Sequence, residues 1–149
     1  MDLTERMAWP NICDIMHMSV DAIKAKDIIT LLSALADPTR LRLVRLLLQE
    51  ELCVCELVDA LRIPQYKISR HLGKLRGAGM VEARRNGRWI YYSIGRQGEL
   101  NAFQRDLLKV MGVHLDGVPA VRKDDVRLSH RLAMRRAERC VVGMVKRRG

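Results

Sequence analysis

Apolar residues at helical spacing divide the first two-thirds of the chain into short amphipathic segments separated by turn signals. From Asp21 to Ala36, Ile28, Leu31, Leu32 and Leu35 recur on one face, and Asp37-Pro38 ends the run. Asp37 can cap the next helix and Pro38 suits its first position. Thr39 to Glu50 is then predicted as a core helix with Leu41, Val44, Leu47 and Leu48 inward. Glu51 to Leu61 predicts a third helix, broken by Ile63-Pro64. In a fourth, from about Gln65 to Gly77, Ile68, Leu72 and Leu75 fall at i, i+4 and i+7. Around that axis Tyr66, Arg70, Gly73 and Lys74 face the other way, with Lys67 and Ser69 on the flanks. Gly77 and Gly79 stop the helix.

The period then changes. Val81–Arg85 and Arg88–Ile94 read as strands joined by Asn86-Gly87, a strong short hairpin signal. The turn brings Arg85 and Arg88 together at the tip, and paired cations there call for an anion. Glu99–Met111 is another amphipathic helix, with Leu100, Phe103, Leu107 and Val110 on a stripe that suits either the core or a second subunit. Gly112–Pro119 reads as a linker and Asp124–Arg139 as a basic helix with Leu128 and Leu132 on one side. The expected organisation is an N-terminal arm (1–20), a folded domain (21–111) and a linker with a basic C-terminal extension (112–149). Two short helices, a tight turn, a basic outer face and a hairpin add up to a mainly α, winged helix-turn-helix fold.

Charge sharpens this reading. The formal net charge is +10. Residues 62–96 carry nine Lys/Arg against one acid and residues 122–149 ten against three, so the rest of the chain is net acidic. A focused positive block favours nucleic acid or an anionic membrane. No apolar stretch approaches the roughly 20 residues of a membrane span, and the N-terminus has no signal-peptide run. Double-stranded DNA is therefore the expected partner. Phosphate contacts are assigned to Lys67, Lys74, Arg84, Arg85 and Arg88. Base edges are assigned to Gln65, Tyr66, Ser69 and Arg70, with His71 a further phosphate candidate. Trp89 reads as a packing residue of the wing, and the basic tail as a solvated charge run.

The candidate chemistry lies in Glu51-Leu52-Cys53-Val54-Cys55-Glu56-Leu57. Four cysteines at irregular spacing make no disulfide framework, so a reducing cytoplasm is expected. Neither a redox βαβ setting nor a catalytic base accompanies Cys53 and Cys55, which argues against an enzyme. Soft thiolates select thiophilic ions. Zinc would want four ligands, and His17, His71, His114 and His130 are scattered. In a regular helix residues i and i+2 point about 200° apart. Both thiols reaching one atom would then require local unwinding or a non-helical start, and the expectation is that binding distorts the front of the third helix. Cys13 and Cys140 are the candidates for a third ligand.

Four stretches together carry a resemblance: Asp37-Pro38-Thr39-Arg40-Leu41-Arg42, the Cys-Val-Cys segment, Lys67-Ile68-Ser69-Arg70-His71-Leu72, and Gly87-Arg88-Trp89-Ile90-Tyr91-Tyr92. In this order, over about residues 25–110, they resemble the ArsR/SmtB family of metalloregulatory repressors, and the Cys-Val-Cys segment resembles that of its arsenic-responsive members. The resemblance implies a homodimer paired through the first and last core helices. It also implies an operator released when arsenite or antimonite, which prefer three sulfurs, binds the cysteines. Cadmium, lead or thiol oxidation are alternative inducers. Two positions depart from the family. Val58 stands where the arsenic repressors commonly carry a further Cys, and Pro64 where a Ser commonly caps the recognition helix.

Overall fold

The computed structural model describes residues 22–95, 100–137, 139–141 and 143, with side chains from residue 26 onward. Its elements are α1 (Ala22–Leu35), α2 (Pro38–Leu47), β1 (Leu52–Cys53), α3 (Val54–Leu61), α4 (Gln65–Gly77), β2 (Val81–Asn86), β3 (Trp89–Ile94), α5 (Ala102–Leu115) and α6 (Pro119–Leu132). The strands form one antiparallel sheet in the order β1-β3-β2. This is a winged helix-turn-helix: α3 and α4 are the paired helices and β2–β3 is the wing.

Local chemistry sets the helix ends. The Asp37 carboxylate accepts from the Arg40 amide at 3.0 Å, with Pro38 in the first turn of α2. Pro64 gives α4 no side-chain cap, but its φ of −56° enters a helix without strain. Its carbonyl accepts from the Lys67 and Ile68 amides at 3.0 and 3.1 Å. Leu43, Leu46, Leu57, Ile68, Leu72 and Leu75 interlock as a fully buried core, so α4 is seated by its apolar stripe as the spacing predicts.

Four local expectations need correction. The segment 51–61 is not one helix: Cys53 is extended (φ −81°, ψ 159°), and Leu52 and Cys53 pair with Tyr92 and Tyr91. The wing turn sits one residue later than expected. Asn86 pairs with Trp89, leaving Gly87-Arg88 as the turn, with Gly87 at φ 60°, a conformation glycine adopts without a Cβ penalty. The expected linker is partly helical, because α5 continues to Leu115, and α6 starts at Pro119 and ends at Leu132. Finally, α5 turns Gln104, Leu108 and Met111 inward, so Phe103 and Val110 of the expected stripe face out, as does Leu32 on α1.

α6 is docked on the body by ion pairs. Asp124, 1% exposed, accepts from Arg42 Nε and Nη2, each at 2.7 Å, and from Arg127. Two hydrogen bonds from one guanidinium to one carboxylate fix orientation as well as charge. The arm 1–20, with Cys13, lies outside the described residues. Among those that are described, no helix is long and apolar enough to cross a membrane.

Candidate effector site and nucleic-acid interface

Cys53 is the last residue of β1 and the cap position of α3, and Cys55 is the second residue of that helix. Strand geometry at Cys53 removes the opposed pointing that a continuous helix would impose. The sulfurs of Cys53, Cys55 and Cys140 all lie within 4.8 Å of one another, and all three residues are buried. Of the two routes the sequence leaves open, local unwinding or a non-helical start, the structure has the second, and the expectation that binding must distort the helix front loses its basis. Of the two third-thiol candidates, the fold brings Cys140 into the cluster, with its sulfur 3.1 Å from that of Cys55.

Cys140 arrives on the segment after α6, which is held at several points. Arg135 donates to both oxygens of Glu56 at 2.7 Å, to Glu50 at 3.0 Å and to the Glu51 carbonyl at 2.8 Å. Glu56 is fully buried, and its Oε2 also accepts from the Cys53 amide at 2.9 Å. One carboxylate thus fastens the start of α3 to the C-terminal segment. Arg131 pairs with Asp59 at 2.8 Å and donates to the Gly143 carbonyl at 3.1 Å and toward the Cys140 sulfur at 3.7 Å. The Cys140 amide donates to the Tyr91 hydroxyl at 2.8 Å, and Tyr91 is the strand partner of Cys53.

The thiols are electrostatically unequal. Cys55 is pulled down to about 6 because the Cys53 and Cys140 thiols hydrogen-bond its sulfur and the Arg131 charge stands near, all against the effect of burial. Cys53 is pushed up by donating to Cys55 and by burial, and Cys140 mainly by burial. Of the three, Cys55 is the thiol these surroundings favour as thiolate. Sequence reasoning missed Glu56, Tyr91, Arg131 and Arg135. Glu56 was detectable, since a Glu three residues after a helix cap is a capping signal. Arg135 was hidden in a basic run that also reads as solvated.

On the outer face of α4, Gln65, Tyr66, Lys67, Ser69, Arg70 and Lys74 are all exposed. Arg85 and Arg88 are exposed at the wing, where Arg85 Nε donates to the Gly87 carbonyl at 3.1 Å and Arg88 lies 4.6 Å over the Trp89 ring. Arg84 differs: its Nε is 3.0 Å from Glu51, and its guanidinium lies 5.3 Å over Tyr91. His71 is half-buried, with Nδ1 3.7 Å from Asp37 and 3.5 Å from Arg40 Nη1, a setting that ties α4 to α2.

The thiols and this face meet. A partly open cleft of about 210 Å³ is lined by Cys53, Val54, Cys55, Gln65, Arg88, Trp89, Ile90 and Gly143. Trp89 packs on the cysteine cluster and carries Arg88 over its ring.

Comparison with known proteins agrees with this architecture. Residues 37–83 match the family described as bacterial regulatory protein, arsR family. The chain is 56% identical over 61 residues to an arsenic resistance transcriptional regulator of Pseudomonas putida, a match covering 40% of this chain and 48% of that protein. It thus spans only about half the length of that relative. It is 47% identical over 62 residues to an uncharacterised helix-turn-helix transcriptional regulator of Methanocaldococcus jannaschii, covering 41% of this chain and 70% of that one. A homodimeric winged helix-turn-helix DNA-binding domain of Mycobacterium bovis superposes with a TM-score of 0.55 at 30% identity, over 64% of this chain and 83% of that one. With the wing, the exposed basic recognition helix and these likenesses together, the chain belongs to the ArsR family of bacterial regulatory proteins.

Proposed function

We propose that this protein is a cytoplasmic transcriptional repressor that binds operator DNA as a homodimer and releases it when Cys53, Cys55 and Cys140 capture arsenite or antimonite. The observation that carries the reading is the trio of buried sulfurs within 4.8 Å. Three thiols suit a three-coordinate thiophilic ion better than zinc, which asks for four ligands. Such an ion would supply sulfur bonds that draw the three side chains onto one atom. The arsenic resistance regulator of P. putida supports the choice of metalloid.

The chain's own residues provide the coupling. Cys53 lies opposite Tyr91 of the wing strand, and the Cys140 amide donates to the Tyr91 hydroxyl. Trp89 touches the cluster and carries Arg88, while Gln65 shares the cleft. Contraction of the sulfurs would move the wing relative to the start of α4, and both must be in register for DNA. In this reading the strain falls on the sheet and cleft, not on the helical turns of α3. A coupling of about 1–3 kcal/mol lowers DNA affinity about 5- to 150-fold. The dimer reading rests on Ile29, Leu32, Val110 and Val113, apolar and exposed on α1 and α5, and on the homodimeric M. bovis neighbour.

The test uses duplexes selected by the protein from random DNA, with fluorescence anisotropy as readout. Arsenite should release wild type, and Cys53→Ser, Cys55→Ser and Cys140→Ser should each hold on. Wild-type response in all three mutants rejects the site. A second reading, oxidation, is favoured by the 3.1 Å approach of Cys55 and Cys140. Release by peroxide but not by arsenite, cadmium or lead would select it.

A further inference from the structure

The wing sheet has two covered faces. Leu52 and Tyr92 join the main core, whereas Tyr91 and Trp89 pack in a second cluster with Cys140 on the other side. The segment after α6 thus lies along the face of the wing turned away from the main core. It is pinned there, because the Cys140 amide donates to the Tyr91 hydroxyl at 2.8 Å and Arg131 donates to the Gly143 carbonyl at 3.1 Å. Gly143, exposed, shares the wall of the 210 Å³ cleft with Gln65, the first residue of the recognition helix, and with Arg88 of the wing turn. The sequence continues from Gly143 with Met144-Val145-Lys146-Arg147-Arg148. We infer that this basic run, with Arg139 before it, is a third DNA-contacting element that binds backbone phosphates beside the recognition helix and the wing. The inference rests on the proposed DNA-binding function and adds to its contact surface.

Place, reach and charge carry the argument. In sequence this run reads as solvated, but the fold delivers it to the reading face. A duplex that touches both Gln65 and Arg88 carries its backbone past the mouth of the cleft between them, where Gly143 stands. From Gly143 to Arg148 is five residues, a reach of at most about 17 Å. DNA offers a phosphate charge every ~1.7 Å of helix axis, so three cations within that reach have partners. Arg139 marks the same course earlier. It is exposed and shares a groove with Arg84 and Asn86 of the wing. The two carboxylates of that groove, Glu50 and Glu51, already face Arg135 and Arg84, so Arg139 adds positive charge to the wing's edge. Long, flexible cations of this kind suit phosphates, which fix register and orientation without reading sequence.

The test measures the affinity of the full chain for a selected duplex across a range of salt concentrations. The variants are Arg139→Ala and the triple Lys146→Ala, Arg147→Ala, Arg148→Ala. The slope of log affinity against log salt should shrink by about 2.7 per bound protomer in the triple variant and by about 0.9 in Arg139→Ala. Preference for the selected over a scrambled duplex should stay as in wild type. A second readout does not depend on charge: benzoylphenylalanine in place of Val145 should crosslink to the duplex on irradiation. A wild-type slope in the triple variant, or crosslinks to protein alone, overturns the inference while leaving the parent reading standing. Failure of the wild type to bind any duplex is a different outcome: it rejects the parent reading and the added contact with it.

Discussion

Removing the charge of Arg135 should free the segment that carries Cys140. Glu56 is fully buried and holds three hydrogen bonds, two from Arg135 at 2.7 Å and one from the Cys53 amide at 2.9 Å. Arg135→Met leaves that carboxylate enclosed without its cation, which costs about 3–5 kcal/mol if the structure stays shut. The segment after α6 can relieve the cost by lifting away and letting water reach Glu56. The lower figure, 3 kcal/mol, raises the population of the lifted state about 150-fold. The assay is the alkylation rate of each cysteine by iodoacetamide, read by peptide mass spectrometry, beside urea unfolding. Cys140 should label about two orders of magnitude faster than in wild type. Glu56→Gln combined with Arg135→Met should recover part of the loss, since no buried charge is then left unpaired. Unchanged Cys140 labelling and an unmoved urea midpoint in Arg135→Met would refute the claim that this pair positions the third thiol.

Other outcomes follow from the same geometry. Leu72→Ala empties a fully buried position under the recognition helix and should cost about 2–5 kcal/mol in urea unfolding. A thiolate absorbance titration should find the first proton leaving the cluster near pH 6, and Arg131→Met should move that midpoint upward. The sign for stability follows. With Cys55 at about 6 folded against an ordinary 9.0, its contribution is full above about pH 9 and is lost as pH falls through about 6. Arg88→Ala should weaken binding to all duplexes and lower the salt slope by about one. Arg84→Ala should change the slope less, because Glu51 already faces that guanidinium. A smaller slope change for Arg88→Ala than for Arg84→Ala would contradict this ranking of the wing arginines.

Much of the fold was legible because its signals are local. The period of Ile68, Leu72 and Leu75 marks the inner face of α4, and all three are fully buried. Asp37-Pro38 marks a helix start, and the Asp37 side chain caps it. The part of the candidate site on Cys53 and Cys55 was legible for the same reason, since their spacing is local. What was not legible depends on partners far along the chain. A two-residue strand has no period of its own; Leu52–Cys53 is extended because it pairs with β3 at residues 91 and 92. Arg135 looks like any tail cation until Glu56 is buried opposite it.

These non-local contacts bear on how the proposed switch would work. Had α3 been continuous through both cysteines, capture of an ion would have to break helical hydrogen bonds, and coupling to DNA would pass through the helix-turn-helix backbone. With Cys53 on the sheet, the three sulfurs are already neighbours and α3 can stay whole. The element left to move is the wing, bound to the cluster through Tyr91 and Trp89 and bearing Arg88. In the proposed function, a lone-pair ion at the sulfurs and a phosphate at Arg88 would then compete for the setting of one hairpin. By reciprocity, operator DNA would then have to weaken capture at the thiols by the same factor by which the ion would weaken DNA binding.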